Sequence, residues 1–183
     1  MAAPNSDSVF KKRLSEVGLS YSLPNGFLDN GSNQALEKAL SKEFDSVEPF
    51  VVHQMRSNNN NIVVYLDVRV LGGIDLKDPA FAAVYPIFFE SNAAAYCAMV
   101  SGGNCYVLNK FPTEAVQADY NADFGMIFMA KKPDQNRLGG HKKMSVVAIS
   151  KPNKGFFYIT IAYDSDEDFK NNFEPIIYSL KFK

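Results

Sequence analysis

The stretch MSVVAISKPNKGFFYITIAYD, residues Met144–Asp164, decides the fold. It consists of two runs rich in β-branched and aromatic residues, separated by Lys-Pro-Asn-Lys-Gly at positions 151–155. A Pro-Asn-x-Gly link is typical of a turn between antiparallel strands, so the stretch predicts a β-hairpin. Alternate positions of the second run, counted from Phe156 or from Phe157, are almost all apolar. A strand without a polar face is expected inside a sheet that is covered on both sides.

A helix and a last strand follow the hairpin. Ser165, with Asp168 three residues later, matches a capping box, and the acidic residues 166–168 suit the positive end of a helix dipole. The apolar spacing continues the helix to about Tyr178, although Pro175 disfavours a regular interior. Residues 179–182, Ser-Leu-Lys-Phe, then predict a short strand.

The preceding chain divides into further helices and strands. Helices are predicted at 7–17, 34–44 and 112–120, and strands at 19–23, 49–56, 62–71, 105–108 and 124–131, with a loop at 30–33. The stretch 72–112 predicts a helical insert that starts at Asp78 and is broken into a pair of helices by Pro86. The 183 residues are therefore expected to form a single domain with this insert.

The amino-acid composition and net charge limit the kinds of partner that the protein is expected to bind. With 46% hydrophobic residues the chain can bury a packed core, and its net charge of −1 gives no broad electrostatic argument for nucleic acid or anionic membranes as partners. No apolar run approaches the roughly 18–20 residues of a membrane span, so no transmembrane segment is expected. The first residues lack the pattern of a signal peptide, which leaves a cytoplasmic protein or one whose leader has been removed.

The order of the elements resembles that of a known family. A strand ending in Pro-Asn-Gly-Phe at 24–27, a capped helix, a hairpin, a helical middle, a second hairpin and an acidic-capped helix closing on Ser-Leu-Lys-Phe look like the PsbP-like group. That group includes the Ran-binding Mog protein and the bacterial periplasmic DcrB proteins. The matching residues are Leu19–Phe27 and Phe156–Phe182; the chain differs in having Phe27 where a Trp is common and in its long helical stretch.

The resemblance implies a fold and a type of function. The fold would be α+β, with a central antiparallel sheet flanked by helices on both faces, an α/β/α sandwich. The function would be that of a non-catalytic binding or assembly module of a bacterium, recognising a protein or a small ligand. Similarity to extracytoplasmic relatives favours a periplasmic or extracellular location over a cytoplasmic one. No functional residue of a known member maps onto a matched motif.

A basic, glycine-containing loop is the first candidate binding site. Residues 131–143 include Arg137, His141, Lys142 and Lys143 around a Gly-Gly pair, a composition that can hold an anion on backbone amides and side chains. The loop lacks the spacing of a phosphate-binding P-loop, and the alternative is a solvated connection between strands.

An aromatic patch in the insert is the second candidate. Its members are Tyr85, Phe88, Phe89, Tyr96 and Phe111. Aromatic residues at helical spacing mostly pack a helix onto its neighbours, which is the alternative to a surface for a partner or ligand.

Catalytic and metal chemistry find little support. Cys97 lacks a motif that links it to either histidine, His53 or His141, and the acidic run after Asp164 has neither the glycine nor the final glutamate of a calcium loop. We therefore predict no catalytic residue, metal or cofactor; the alternative is an enzyme, a hydrolase or transferase, that uses Cys97 or a His–carboxylate pair. A disulfide between Cys97 and Cys105 is conceivable if the protein is exported.

Overall fold

The computed structural model describes residues 6–43, 50–71, 77–103 and 105–183. The helices are α1 (Ser6–Val17), α2 (Gln34–Glu43), α3 (Pro79–Ser101), α4 (Thr113–Tyr120) and α5 (Asp166–Ile177). The strands are β1 (Leu19–Tyr21), β2 (Phe27–Ser32), β3 (Val52–Ser57), β4 (Ile62–Val70), β5 (Cys105–Lys110), β6 (Phe124–Ala130), β7 (Lys143–Lys151), β8 (Gly155–Tyr163) and β9 (Leu180–Phe182). The fold class is α+β, as predicted.

Seven of the strands form one antiparallel sheet. Their order is β2-β3-β4-β8-β7-β6-β5, so the predicted hairpin of β7 and β8 lies inside the sheet and β8 pairs with β4 on its other side. Asn153 takes a positive φ of 65° in the hairpin turn, a conformation that Asn tolerates well. Strands β1 and β9 pair separately, with Leu19 opposite Phe182, and so bring the two ends of the chain together.

Helices cover both faces of the sheet, and two hydrophobic clusters result. On one face α1, α4 and α5 pack against residues such as Leu66 and Ile159. On the other face α2 and α3 pack against residues such as Tyr65 and Tyr158. Because adjacent residues of β4 and β8 serve opposite clusters, both strands are apolar on both sides, which is the pattern that the sequence shows.

The cap of α5 is confirmed. The Ser165 side chain accepts hydrogen bonds from the backbone N–H groups of Glu167 and Asp168. These contacts satisfy two of the donors that every helix start leaves without an intrahelical partner.

Two predictions of secondary structure are wrong. Helix α3 runs through Pro86 without a break, because its Tyr85 and Phe89 are buried against the sheet and this packing outweighs the loss of one backbone hydrogen bond. Residues 30–32 of the predicted loop belong to the edge strand β2, which its polar sequence does not indicate. A register shift between Asp29 and Gly31 interrupts the pairing of β2 with β3.

A disulfide joins Cys97, near the end of α3, to Cys105, the first residue of β5. The bond ties the long helix to the edge of the sheet. Parts of three predicted elements, residues 44, 49, 72–76 and 104, lie outside the described residues. Within the described ranges, no helix combines the length and apolar character that crossing a membrane requires.

Candidate functional site

A cavity of about 610 Å³ lies over the sheet beside α2. Its floor comes from β3 and β4, one wall from α2 and the opposite wall from the loop between β6 and β7. The lining residues are Asn33, Ala35, Leu36, Ala39, Gln54, Arg56, Asn60, Val63, Tyr65, Asn136, Arg137, Gly139 and His141.

The helix wall is made of small side chains. Ala35 and Ala39 are four residues apart, so they lie one above the other on the same side of α2. Leu36 and Leu40 on the neighbouring positions anchor the helix in the core. The two alanines therefore leave open a volume that larger side chains would fill.

The floor of the cavity carries polar side chains from β3. Along β3, Gln54 and Arg56 point to the cavity side, while Met55 between them is fully buried in the opposite cluster. The Gln54 side-chain oxygen accepts a hydrogen bond of 2.8 Å from Asn33 Nδ2. Nε of Arg56 is buried and makes no hydrogen bond within the described structure.

Tyr65 of β4 completes the floor. Only 2% of its surface is exposed. Burial raises the pKa of the Tyr65 phenol to about 12, so the hydroxyl keeps its proton at neutral pH and remains a hydrogen-bond donor. Gly139 of the loop lies directly opposite, since a Cβ at that position would be 3.8 Å from the Tyr65 oxygen.

The loop wall is fixed to the C-terminal end of α3. Arg137 Nη1 donates a hydrogen bond of 2.6 Å to the carbonyl of Met99, and its Nε lies 3.6 Å from a carboxylate oxygen of Asp134. The backbone N–H of Asp134 donates in turn to the carbonyl of Ser101. These contacts hold the Arg137 guanidinium in a defined position at the cavity.

His141 adds a second polar group to this wall. Its side chain is buried, and Nδ1 lies 3.0 Å from Oδ2 of Asp164, whose other oxygen accepts a hydrogen bond from the Lys142 backbone N–H. Partial burial alone would raise the pKa of Asp164, but the contacts with Lys142 and His141 outweigh it and hold the pKa below its ordinary value of 3.8. An ionised Asp164 accepts from Nδ1–H, so Nε2 of His141 is left to contact a ligand.

The electrostatic character of the cavity follows from this arrangement. Arg56 and Arg137 are cationic, His141 becomes cationic on protonation, and none of the described lining residues is acidic. Asp134 and Asp164 contact Arg137 and His141 but are not among the residues that line the cavity. Such a site favours an anionic group with several acceptor oxygens.

The basic loop that the sequence singled out therefore contributes two of its four residues to the cavity. Lys142 and Lys143 do not line it: Lys142 is exposed, and the Lys143 ammonium pairs with Asp166 at 2.6 Å. Sequence reasoning missed Arg56 and Tyr65. Arg56 could have been found, because an arginine beside apolar residues in a buried strand is unusual. Nothing in the sequence distinguishes Tyr65 from a tyrosine of the core.

The aromatic patch is not assembled into one surface. Tyr85, Phe89 and Tyr96 are buried under α3, with Tyr96 stacked 3.9 Å from Tyr158 between ring centroids. Phe88 is 37% exposed. Phe111 packs with α4 on the opposite face of the sheet.

The residues considered for catalysis or metal binding do not line the cavity, with the exception of His141. Cys97 is fully buried and is bonded to Cys105, so it presents no thiolate. No serine, threonine or cysteine appears among the described residues that line the cavity. The described part of the chain also contains no group of three His, Cys, Asp or Glu side chains arranged to hold a metal ion.

The chain was compared with protein families, curated proteins and solved structures. No protein-family model matches the chain, and no curated protein matches it. The solution structure of cyanobacterial PsbP (CyanoP) from Synechocystis sp. PCC 6803 is similar, with a TM-score of 0.45 and 12% identity over 92% of this chain and 89% of that one. A point mutant of the protein Mog1 is similar with a TM-score of 0.39 and 11% identity over 89% of each chain. This likeness concerns the fold.

Proposed function

We propose that the protein is a non-catalytic binding module that holds a small anion, a carboxylate or phosphate compound, in the cavity beside α2. The observation that carries the proposal is the guanidinium of Arg56. It lies on the cavity floor, the described lining includes no acidic side chain, and its buried Nε has no hydrogen-bond partner within the described residues. A buried donor left without an acceptor costs roughly 1–3 kcal/mol, and an anionic oxygen in the cavity would remove that cost.

The other polar groups of the cavity suit the same ligand. The Tyr65 hydroxyl and the Arg137 guanidinium donate hydrogen bonds, and Asn33, Asn60 and Asn136 add amide groups at the rim. The apolar wall from Ala35 to Ala39 gives room for a short carbon chain. Directed polar groups beside an apolar wall are common in small-molecule sites.

The alternative of an enzyme has one observation in its favour, the contact between His141 and Asp164. An imidazole oriented by a carboxylate is half of the machinery for nucleophilic catalysis. Among the described residues that line the cavity, the phenol of Tyr65 is the one hydroxyl, and its raised pKa makes it a poor nucleophile. We therefore assign His141 a binding role.

The disulfide bears on location. Disulfides persist in oxidising compartments and are rare where thiols are kept reduced. We propose that the protein works outside the cytoplasm, where the bond from Cys97 to Cys105 is stable.

The test is a titration with two simple anions, inorganic phosphate and succinate, at constant ionic strength. Binding is measured by isothermal calorimetry and by the ¹H–¹⁵N spectrum, including the Arg56 Nε–H signal. We expect saturable binding of at least one anion and a loss of about tenfold or more in R56Q, because a charge-assisted hydrogen bond is removed. A39F, which fills the cavity, is expected to abolish binding.

The matched control is K170Q, which removes an exposed positive charge on α5. Thermal unfolding of each variant shows whether the fold is retained. Equal anion affinity in wild type, R56Q and A39F would refute the proposal, as would an equal loss in K170Q, since the effect would then be one of net charge. Turnover of an ester substrate lost in H141A would instead establish the enzyme.

A further inference from the structure

A second cavity, of about 450 Å³, lies on the opposite face of the sheet from the anion site. It is bounded by α1, β1, β2 and β3. Its lining residues are Asp7, Phe10, Lys11, Leu14, Tyr21, Asp29, Asn30, Gly31 and His53. None of these residues is among those that line the first cavity, so the two sites use different side chains.

Three aromatic rings build the inner wall. The His53 imidazole stacks on the Phe10 ring at 4.4 Å between centroids, and Tyr21 meets the His53 ring edge-on at 5.3 Å. Burial and then the nearby Asp29 carboxylate raise the pKa of the Tyr21 phenol, so this ring stays neutral. The wall is therefore rigid, neutral on the tyrosine and phenylalanine rings, and rich in π-electrons.

Two carboxylates flank the imidazole. Asp29 Oδ1 lies 3.0 Å from His53 Nε2, and Asp7 Oδ1 lies 4.0 Å from His53 Nδ1. Both acidic side chains remain about two-fifths exposed, at 44% for Asp7 and 42% for Asp29. Negative oxygens next to aromatic faces are the combination that proteins use to hold organic cations.

His53 supplies an independent sign that a ligand belongs here. Its side chain is only 8% exposed, it lines the cavity, and neither ring nitrogen makes an aligned hydrogen bond in the described structure despite the short distance to Asp29. Buried polar side chains usually have such partners. An unprotonated imidazole nitrogen can accept a hydrogen bond from an ammonium or guanidinium N–H.

The backbone also leaves room for the acidic group. Gly31 has a φ of +69°, and a Cβ at this position would lie 3.1 Å from both carboxylate oxygens of Asp7. The Gly31 N–H donates a hydrogen bond of 2.9 Å to Asp29 Oδ1, which fixes the second carboxylate. A glycine thus allows both carboxylates to approach the mouth of one cavity.

We infer that this cavity binds a hydrogen-bonding organic cation, a primary ammonium or guanidinium group. The cation lies between Asp7 and Asp29 and against the rings of Phe10 and Tyr21. Lys11 is exposed and lines the same cavity, so its positive charge disfavours a second cation there. The cation can belong to a free amine or to a basic side chain of a peptide.

The experiment uses putrescine and the peptide Gly-Gly-Lys-Gly-Gly as probes. The Gly31 amide signal in the ¹H–¹⁵N spectrum is the reporter, since its proton bonds to Asp29. We expect a saturable shift with at least one probe, a loss of affinity of about tenfold or more in D29N, and a gain of severalfold in K11Q. Tighter binding of the peptide assigns the cation to a protein partner, and tighter binding of putrescine assigns it to a free amine.

The controls separate this site from the first. E114Q removes an exposed acid from α4 and R56Q removes the cation of the anion site; neither is expected to change the affinity for putrescine. Absence of a saturable shift, an equal affinity in D29N, or binding of succinate that weakens in K11Q would overturn the inference. If D29N does not fold, K11Q decides alone, because only a cation site gains affinity when Lys11 is neutralised.

Discussion

Removal of the disulfide is expected to lower the free energy of unfolding by about 3 kcal/mol. The bond joins residues eight positions apart, and in the chain-entropy account a closed loop of this size stabilises the fold by roughly 2.5 kcal/mol. Cys97 is also a fully buried residue of α3, so truncation to alanine in C97A/C105A loses packing on the order of a further 0.5–1 kcal/mol.

Equilibrium unfolding in urea, followed by far-ultraviolet circular dichroism, measures the difference. For a chain of 183 residues a loss of about 3 kcal/mol corresponds to a fall in Tm of roughly 6–12 °C. Wild-type protein reduced with dithiothreitol is expected to have nearly the same free energy of unfolding as C97A/C105A. The slope of that free energy against urea concentration is expected to stay unchanged. Two free thiols in denatured protein that has not been reduced would disprove the bond; an unchanged midpoint on reduction would refute the loop-closure reasoning.

Two further substitutions test the sheet and the anion site. G155A is expected to destabilise the protein by about 2–4 kcal/mol in urea unfolding, because a Cβ there would lie 2.3 Å from the Arg69 carbonyl oxygen, a backbone atom that must move. D164N is expected to cost less than about 1 kcal/mol, since Asp164 is half exposed, and the cost is expected to depend on pH. The folded-state pKa of Asp164 is depressed, so its contribution is present above the ordinary pKa of 3.8 and is lost as pH falls through the lower folded-state value.

Each of these two predictions has an outcome that would contradict it. K154A changes an exposed residue of the same turn, so equal stability of K154A and G155A would show that the close backbone approach is unimportant. A difference between wild type and D164N that stays constant down to pH 2 would show that the carboxylate is not held ionised by Lys142 and His141.

The central strands were predictable from the sequence because their environment is uniform. β8 is apolar at nearly every position, which only a doubly covered strand tolerates, and the cap at Ser165 is a local signal that depends on no distant contact. β2 and α3 were not predictable in the same way. The polar strand β2 is held by pairing with β3, and α3 continues through Pro86 because the sheet buries its aromatic residues, so both are decided by tertiary contacts.

The site was predictable only in part. A cluster of charge and glycine in one connection pointed to Arg137 and His141, because loop composition is visible in a single segment. Arg56 and Tyr65 come from strands, and their approach to that loop depends on sheet register and on the small residues of α2. The aromatic patch shows the reverse case: nearness in the sequence groups Tyr85, Phe89 and Tyr96 with Phe111, yet Phe111 lies on the other face of the sheet.

Strand β3 separates the two cavities and contributes side chains to both of them. Gln54 and Arg56 face one compartment and His53 faces the other, on a single peptide backbone held between β2 and β4. A ligand that shifts this backbone moves both walls at once. If both proposed ligands bind and one of them shifts β3, occupancy of one cavity would change affinity in the other, and thermodynamics requires the coupling free energy to be the same in both directions.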